Sequence, residues 1–189
     1  METTINALLP SEDPWAARPA DAPKELIVYQ ASDGSLKFDP TPEEMAEILL
    51  SSPHQYWLQG GNGEAAIRVG RRPGDKRPVS HSIKLANGTG AEFLWGYPEI
   101  WIKVPEPGKY FFRWSGHETW MPYDGTGCDA FVMDEEGGEP FKIARASLVG
   151  GATAVEIVNE YLRTQARSKV VSWIIDADLP VPKGWYSWE

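Results

Sequence analysis

The residues able to do chemistry in this chain are few and scattered. Three histidines, His54, His81 and His117, stand far apart with no HExxH or CxxC spacing among them, so a zinc site would need ligands from three distant elements. Each is read as structural or superficial. Ser115-Gly116-His117 sets a hydroxyl near an imidazole, and His117-Glu118 lies between Trp114 and Trp120, but these neighbours suit an exposed loop after a strand better than acid–base work. Gly60-Gly61-Asn62-Gly63 lacks the lysine and serine or threonine that complete a phosphate loop and reads as a turn. The single cysteine, Cys128, has no basic neighbour to stabilise a thiolate and is followed by Asp129, which raises a thiol pKa. Carboxylates are abundant, yet a glycosidase pair is defined by its separation, which abundance does not supply. No catalytic residue, metal ligand or cofactor is therefore assigned, and the expectation is a protein that is not an enzyme.

Charge says more than motif. The 189 residues carry a net charge of −9, the wrong sign for tracking a phosphate backbone, so nucleic acid is not expected as a direct partner. No stretch approaches the roughly 20 apolar residues of a spanning helix, and no basic cluster rides an amphipathic one. Membrane association is not expected either. The N-terminal METTINALLPSEDPW has neither a basic nor an apolar leader region, and one cysteine forms no internal disulfide, so the expected location is cytoplasmic. Between Trp114 and Phe141 the chain places Glu118, Asp124, Asp129, Asp134, Glu135, Glu136 and Glu139 and no lysine or arginine, while Arg68, Arg71, Arg72, Lys76 and Arg77 cluster upstream. A solvated loop with an Asp-Glu-Glu-Gly-Gly turn explains any one of these acids. As a group they describe a docking surface for a basic protein, with Trp120, Met121 and Tyr123 as aromatic and thioether anchors. The contact candidates are Glu118, Trp120, Tyr123, Asp124, Asp134, Glu135, Glu136 and Glu139.

The elements that must position this surface follow from turn and cap signals. Residues 1–23 hold Pro10, Pro14, Pro19 and Pro23 and read as an irregular arm; residues 24–189 read as one α+β domain. Leu26–Tyr29 followed by Asp33-Gly34 predicts a strand–turn–strand start. Thr41-Pro42-Glu43-Glu44 is a capping box with proline at the first helical position, and Met45, Ile48 and Leu49 give that helix one apolar face before Pro53 ends it. From residue 55 to 145 short strands alternate with glycine and proline turns: EAAIRV, VSHSIKLA, AEFLW, EIWIKV, KYFFRW, DAFVM and FKIARA. The gaps are too short for parallel crossovers, so the sheet is a mostly antiparallel meander with two helices packed on it. The second helix is expected from a capping box at Thr153-Ala154-Val155-Glu156, with Val155, Val158, Tyr161 and Leu162 facing the sheet. Lys169–Ile175 reads as a late strand with Trp173 in the core, and residues 183–188 as a final strand or docked tail.

From about Glu64 onward, over roughly two-thirds of the chain, this order resembles the first-numbered immunity-protein family of bacterial polymorphic toxin systems. The resemblance rests on EAAIRVG, the aromatic strand KYFFRW, the acidic hairpin DAFVMDEEGGEPF, the helix ATAVEIVNEYLRTQ and the closing SKVVSWI, whose Trp173 looks like the family's last-strand tryptophan. It implies an α+β, non-enzymatic, cytoplasmic antitoxin that binds and neutralises a cognate toxin domain, often one like a nucleic-acid deaminase, by occluding its active site. The proline-rich arm and the segment from Lys183 depart from that pattern. The alternative reading is a carbohydrate-binding or other ligand-binding β-rich module, raised by nine tryptophans, most of which core filling would absorb.

Overall fold

The first β-rich run forms β1 (Leu26–Gln30), and the Asp33-Gly34 turn returns the chain as β2 (Leu36–Phe38), paired antiparallel from Val28↔Phe38 to Gln30↔Leu36. Gly34 sits at a φ of +85°, the left-handed region that favours a residue without Cβ. These details come from a computed structural model, which describes residues 24–58, 63–116, 118–134 and 141–182. The expected arm over 1–23, the expected terminal segment 183–188, residues 60–62 of the glycine turn, His117, Glu135, Glu136 and Glu139 lie outside the described residues.

The expected capping box opens α1 (Pro42–Ser51). Thr41 Oγ1 accepts the Glu44 amide at 3.2 Å and the Glu44 carboxylate accepts the Thr41 amide at 2.8 Å. After Pro53 a short α2 (His54–Trp57) follows, which the sequence reading did not separate from the loop. The seven expected strands then appear: β3 (Ala65–Gly70), β4 (Val79–Lys84), β5 (Gly90–Leu94), β6 (Glu99–Glu106), β7 (Lys109–Ser115), β9 (Phe131–Asp134) and β10 (Phe141–Ala144). Three more were not expected at these bounds. β8 (Thr119–Pro122) lies within the stretch read as an exposed acidic loop, β11 (Leu148–Gly150) leads into α3 (Gly151–Thr164), and β12 is confined to Trp173–Ile175.

Two expected boundaries move, each for a local reason. The second helix begins at Gly151 with Gly150 as an N-cap that makes no side-chain bond, so Thr153 is inside the first turn and caps nothing. A Cβ on Gly151 would meet only the tip of the exposed Leu50 side chain of α1, Cδ2 at 2.8 Å, which marks how closely the two helices approach there. The late strand loses residues 169–172 because the Glu160 carboxylate accepts both Ser168 Oγ at 2.8 Å and the Lys169 amide at 2.9 Å. That turn uses groups a ladder would need and leaves Val170 exposed.

The main sheet is antiparallel throughout, in the order β12-β8-β7-β6-β3-β1-β2, with β11 on β7 and the β4–β5 hairpin joined through β5 to β3. The protein is thus α+β with helices packed on a mostly antiparallel sheet. One face carries Ile27, Tyr29, Ile67, Ile100, Ile102, Phe112, Trp114 and Trp120, which meet Met45 and Leu49 of α1, Trp57 of α2 and Ile157, Val158 and Tyr161 of α3. Trp173 belongs to this core as expected, and its indole N–H donates to Ser168 O at 2.7 Å. The other face is covered in two places. Phe93, Ala91 and Ile83 of the β4–β5 hairpin pack on Val28, and the β9–β10 ribbon packs on Phe111, Met121 and Ile174. Among the described residues no helix is long and apolar enough to cross a membrane.

Between those two covers lies a buried cation. Arg68 of β3 is 4 % exposed, with its guanidinium 4.3 Å from the Trp101 ring and 5.2 Å from Phe93. Its Nε lies 3.0 Å from a Glu99 carboxylate oxygen, off the axis of a hydrogen bond, and Nη1 donates to Gln30 Oε1. Four strands, β1, β3, β5 and β6, therefore converge on one planar charge. Removing the cation leaves Glu99 without its charge partner and Gln30 without its donor, so Arg68→Met should lower stability by about 3–5 kcal/mol in urea unfolding, the cost of breaking a buried pair. Trp173→Ala should cost a similar 3–5 kcal/mol as a core truncation. A loss under 1 kcal/mol for either would contradict the packing described.

Candidate functional site

Within the acidic stretch between Trp114 and Phe141, residues 119–122 form a strand rather than an exposed loop. β8 carries it into the sheet, with Trp114↔Trp120 paired to β7 and Trp120↔Ile175 paired to β12. Alternation along the strand sends Trp120 to the helix side and Met121 to the ribbon side. The Arg167 guanidinium lies 3.8 Å from the Trp120 ring and closes it off from solvent. Trp120 is 4 % exposed and Tyr123 9 %, and Met121 is also buried, so these expected anchors are core residues and not contacts.

Asp134 is corrected in the same way. In β9, Val132 and Asp134 point toward the sheet while Phe131 and Met133 point away from it. Asp134 forms an ion pair with Lys103 of β6, each side chain 6 % exposed, and the Lys103 ammonium also lies 5.0 Å from the Phe141 ring. This pair ties the ribbon to the sheet and leaves Asp134 unavailable to a partner. Glu118 and Asp124 remain exposed as expected. Asp124 Oδ1 accepts the Thr126 amide at 2.8 Å and its hydroxyl at 2.6 Å, which shapes the loop before the ribbon. Glu135, Glu136 and Glu139 lie outside the described residues.

The residues that the sequence reading missed are Phe131 and Met133, 40 % and 37 % exposed on the outer face of the ribbon. β9 and β10 pair from Phe141↔Asp134 to Ala144↔Phe131, which puts Lys142 beside Met133 and its ammonium 5.2 Å from the Phe131 ring. The signal was present in the period of two: if Val132 enters the core, Phe131 and Met133 leave it and Asp134 enters. The outer face is thus a small apolar patch with one lysine, and the exposed acid Asp129 precedes it by two residues.

Polarisation across the molecule is weaker than the linear charge pattern implies. Arg71 pairs with Glu92, Arg72 with Asp39, and Arg77 with both Glu25 and Asp75. Hydrogen bonds from Arg77 hold the Asp75 carboxyl down at about 2. The upstream arginines are therefore largely neutralised, whereas Glu118 and Asp129 make no ion pair among the described residues.

The remaining chemistry-bearing groups have structural surroundings. His54 Nε2–H donates to Val104 O at 2.7 Å, and His81 stacks on Phe93 with 4.8 Å between ring centroids. Cys128 is buried, and desolvation, with Asp129 and Asp124 adding to it, pushes its thiol pKa up. Among the described residues no three histidine, cysteine, aspartate or glutamate side chains are grouped so as to hold a metal ion. No protein-family model matches the chain, and no curated protein is significantly similar to it.

The Lys103–Asp134 pair is open to a direct check. Asp134→Leu removes the carboxylate from a buried ammonium and should cost about 3–5 kcal/mol, while Lys103→Met/Asp134→Leu should recover most of that loss in urea unfolding. A double variant as unstable as the single one would mean that the pair is not what holds the ribbon down.

Proposed function

We propose that this protein is a non-catalytic binding protein whose β9–β10 ribbon docks a basic protein partner, and that it acts in the cytoplasm as an antitoxin, occluding the active site of a toxin domain. The observation that carries the binding reading is the outward placement of Phe131 and Met133 on a ribbon anchored from beneath. Exposed apolar side chains that fill no core are the features expected of a contact patch, and a thioether adapts to irregular partner surfaces. The rim argues for the sign of the partner. Asp129, two residues before Phe131, is exposed and unpaired by any described cation, and Glu135, Glu136 and Glu139 follow β9 in sequence. Such a rim accelerates encounter with a basic surface and sets orientation more than it adds affinity.

A toxin that handles nucleic acid has a basic active site, so an acidic inhibitor is complementary to it in charge. The toxin itself enters through the resemblance of residues 64 onward to the immunity family. The apolar patch and acidic rim support a protein partner independently of that resemblance.

The test is co-expression with the C-terminal domain encoded immediately upstream, read as growth rescue and as a purified complex. Phe131→Ser/Met133→Ser should keep the fold by circular dichroism and weaken the complex by tenfold or more. Asp129→Asn/Glu135→Gln/Glu136→Gln should slow association and flatten its salt dependence while leaving dissociation nearly unchanged. Rescue that survives the serine pair would move the interface elsewhere. No rescue and no complex would remove the toxin reading.

A further inference from the structure

The turn between β5 and β6 carries a tryptophan that no packing explains. Trp95 is 70 % exposed, although its backbone is held firmly: its amide donates to Pro78 O at 2.9 Å, and Gly96 turns the chain at a φ of +84°. Two residues on, the Tyr97 hydroxyl donates to Glu25 Oε1 at 2.8 Å and accepts from Arg77 Nη1 at 2.7 Å, which fixes that ring as well. Trp95 and Tyr97 line a cleft of about 310 Å³ together with Glu99 and the hydroxyl residues Ser80 and Ser115. This is the lower end of the roughly 300–1,000 Å³ range of small-ligand sites, the size for a single ring rather than a long chain.

The lining selects among ligand classes by charge. Among the described residues Glu99 is the one acidic or basic side chain lining the cleft, and Arg68 behind it lies 3.0 Å from its Oε2, so the two charges offset each other. A cation would have to compete with Arg68 for that carboxylate. A nucleotide or other anion would meet no cation among the described lining residues, in a protein of net charge −9. What remains is a neutral ligand with one apolar face for an indole and several hydroxyls for Glu99, Ser80 and Ser115. A carboxylate already committed on one oxygen still accepts hydrogen bonds on the other, and serine hydroxyls both donate and accept.

We infer that the Trp95 cleft is a binding site for a neutral hexopyranose unit, stacked on Trp95 and hydrogen-bonded through Glu99 and Ser115. The site is separate from the ribbon patch and does not depend on the toxin reading. The backbone amide of Trp95 and the Tyr97 ring are both tied down, so the wall of the cleft that carries the indole is fixed before binding.

The test uses the whole chain, titrated separately with glucose, galactose, mannose and N-acetylglucosamine, while the tryptophan indole N–H signals are followed by two-dimensional NMR. Trp95→Phe identifies the Trp95 signal. The expected result is a saturable shift of that signal with at least one of the four sugars and not with glycerol. Trp95→Ala should abolish binding, and Ser115→Ala should weaken it severalfold with the remaining spectrum unchanged. Absence of a saturable shift with all four sugars would overturn the assignment, as would binding that survives Trp95→Ala. If Trp95→Ala instead weakens a protein complex tenfold with no sugar response in the parent chain, the cleft is a protein contact and the sugar site is refuted.

Discussion

A buried arginine is the constraint around which the sheet is arranged. A guanidinium removed from water must be met by an opposite charge, by hydrogen-bond acceptors and by polarisable surfaces, or folding stops at that point. Arg68 finds all three on different strands: Glu99 and Trp101 on β6, Gln30 on β1 and Phe93 on β5. Register makes this possible. Ala66 stands directly opposite both Gln30 and Trp101, and its small side chain leaves the space over which Arg68, two residues on, can lie. The hairpin that supplies Phe93 also supplies the turn bearing Trp95. The geometry of the cleft is therefore inherited from the need to satisfy one charge.

Much of the architecture was legible because its causes are local. The Thr41-Pro42-Glu43-Glu44 box and the Asp33-Gly34 turn act within four residues, and they folded as read. The strands bounded by glycine and proline turns were placed for the same reason. Failures came where a distant group intervened. Lys169 to Val171 has strand composition, yet the Glu160 carboxylate, nine residues before Lys169, takes up its amide. Thr153-Ala154-Val155-Glu156 has the letters of a cap, but β11 pairs with β7 up to Gly150 and runs straight into the helix at Gly151, two residues before Thr153.

The site shows the same division more sharply. Counting acids between Trp114 and Phe141 located a segment rich in charge and did not show which way its side chains point. Trp120 is enclosed by Arg167 and by the late strand β12, neither of which is near it in sequence. Asp134 looks like one more member of an acidic run, and only strand alternation distinguishes it from an exposed neighbour. Charge composition belongs to a segment, whereas exposure belongs to a residue, and the second cannot be read from the first.

The ion pair beneath the ribbon also sets the ribbon's register. A slip of one residue in β9 would turn Asp134 to solvent, press Met133 against the sheet and leave Lys103 buried opposite an apolar side chain. The two registers of the ribbon would otherwise differ only in which apolar residues face inward, a distinction that a pliable thioether and an aromatic ring enforce poorly. Placing one charge under the strand makes the wrong register far costlier than the right one, so Lys103 proofreads which face of the ribbon the solvent sees.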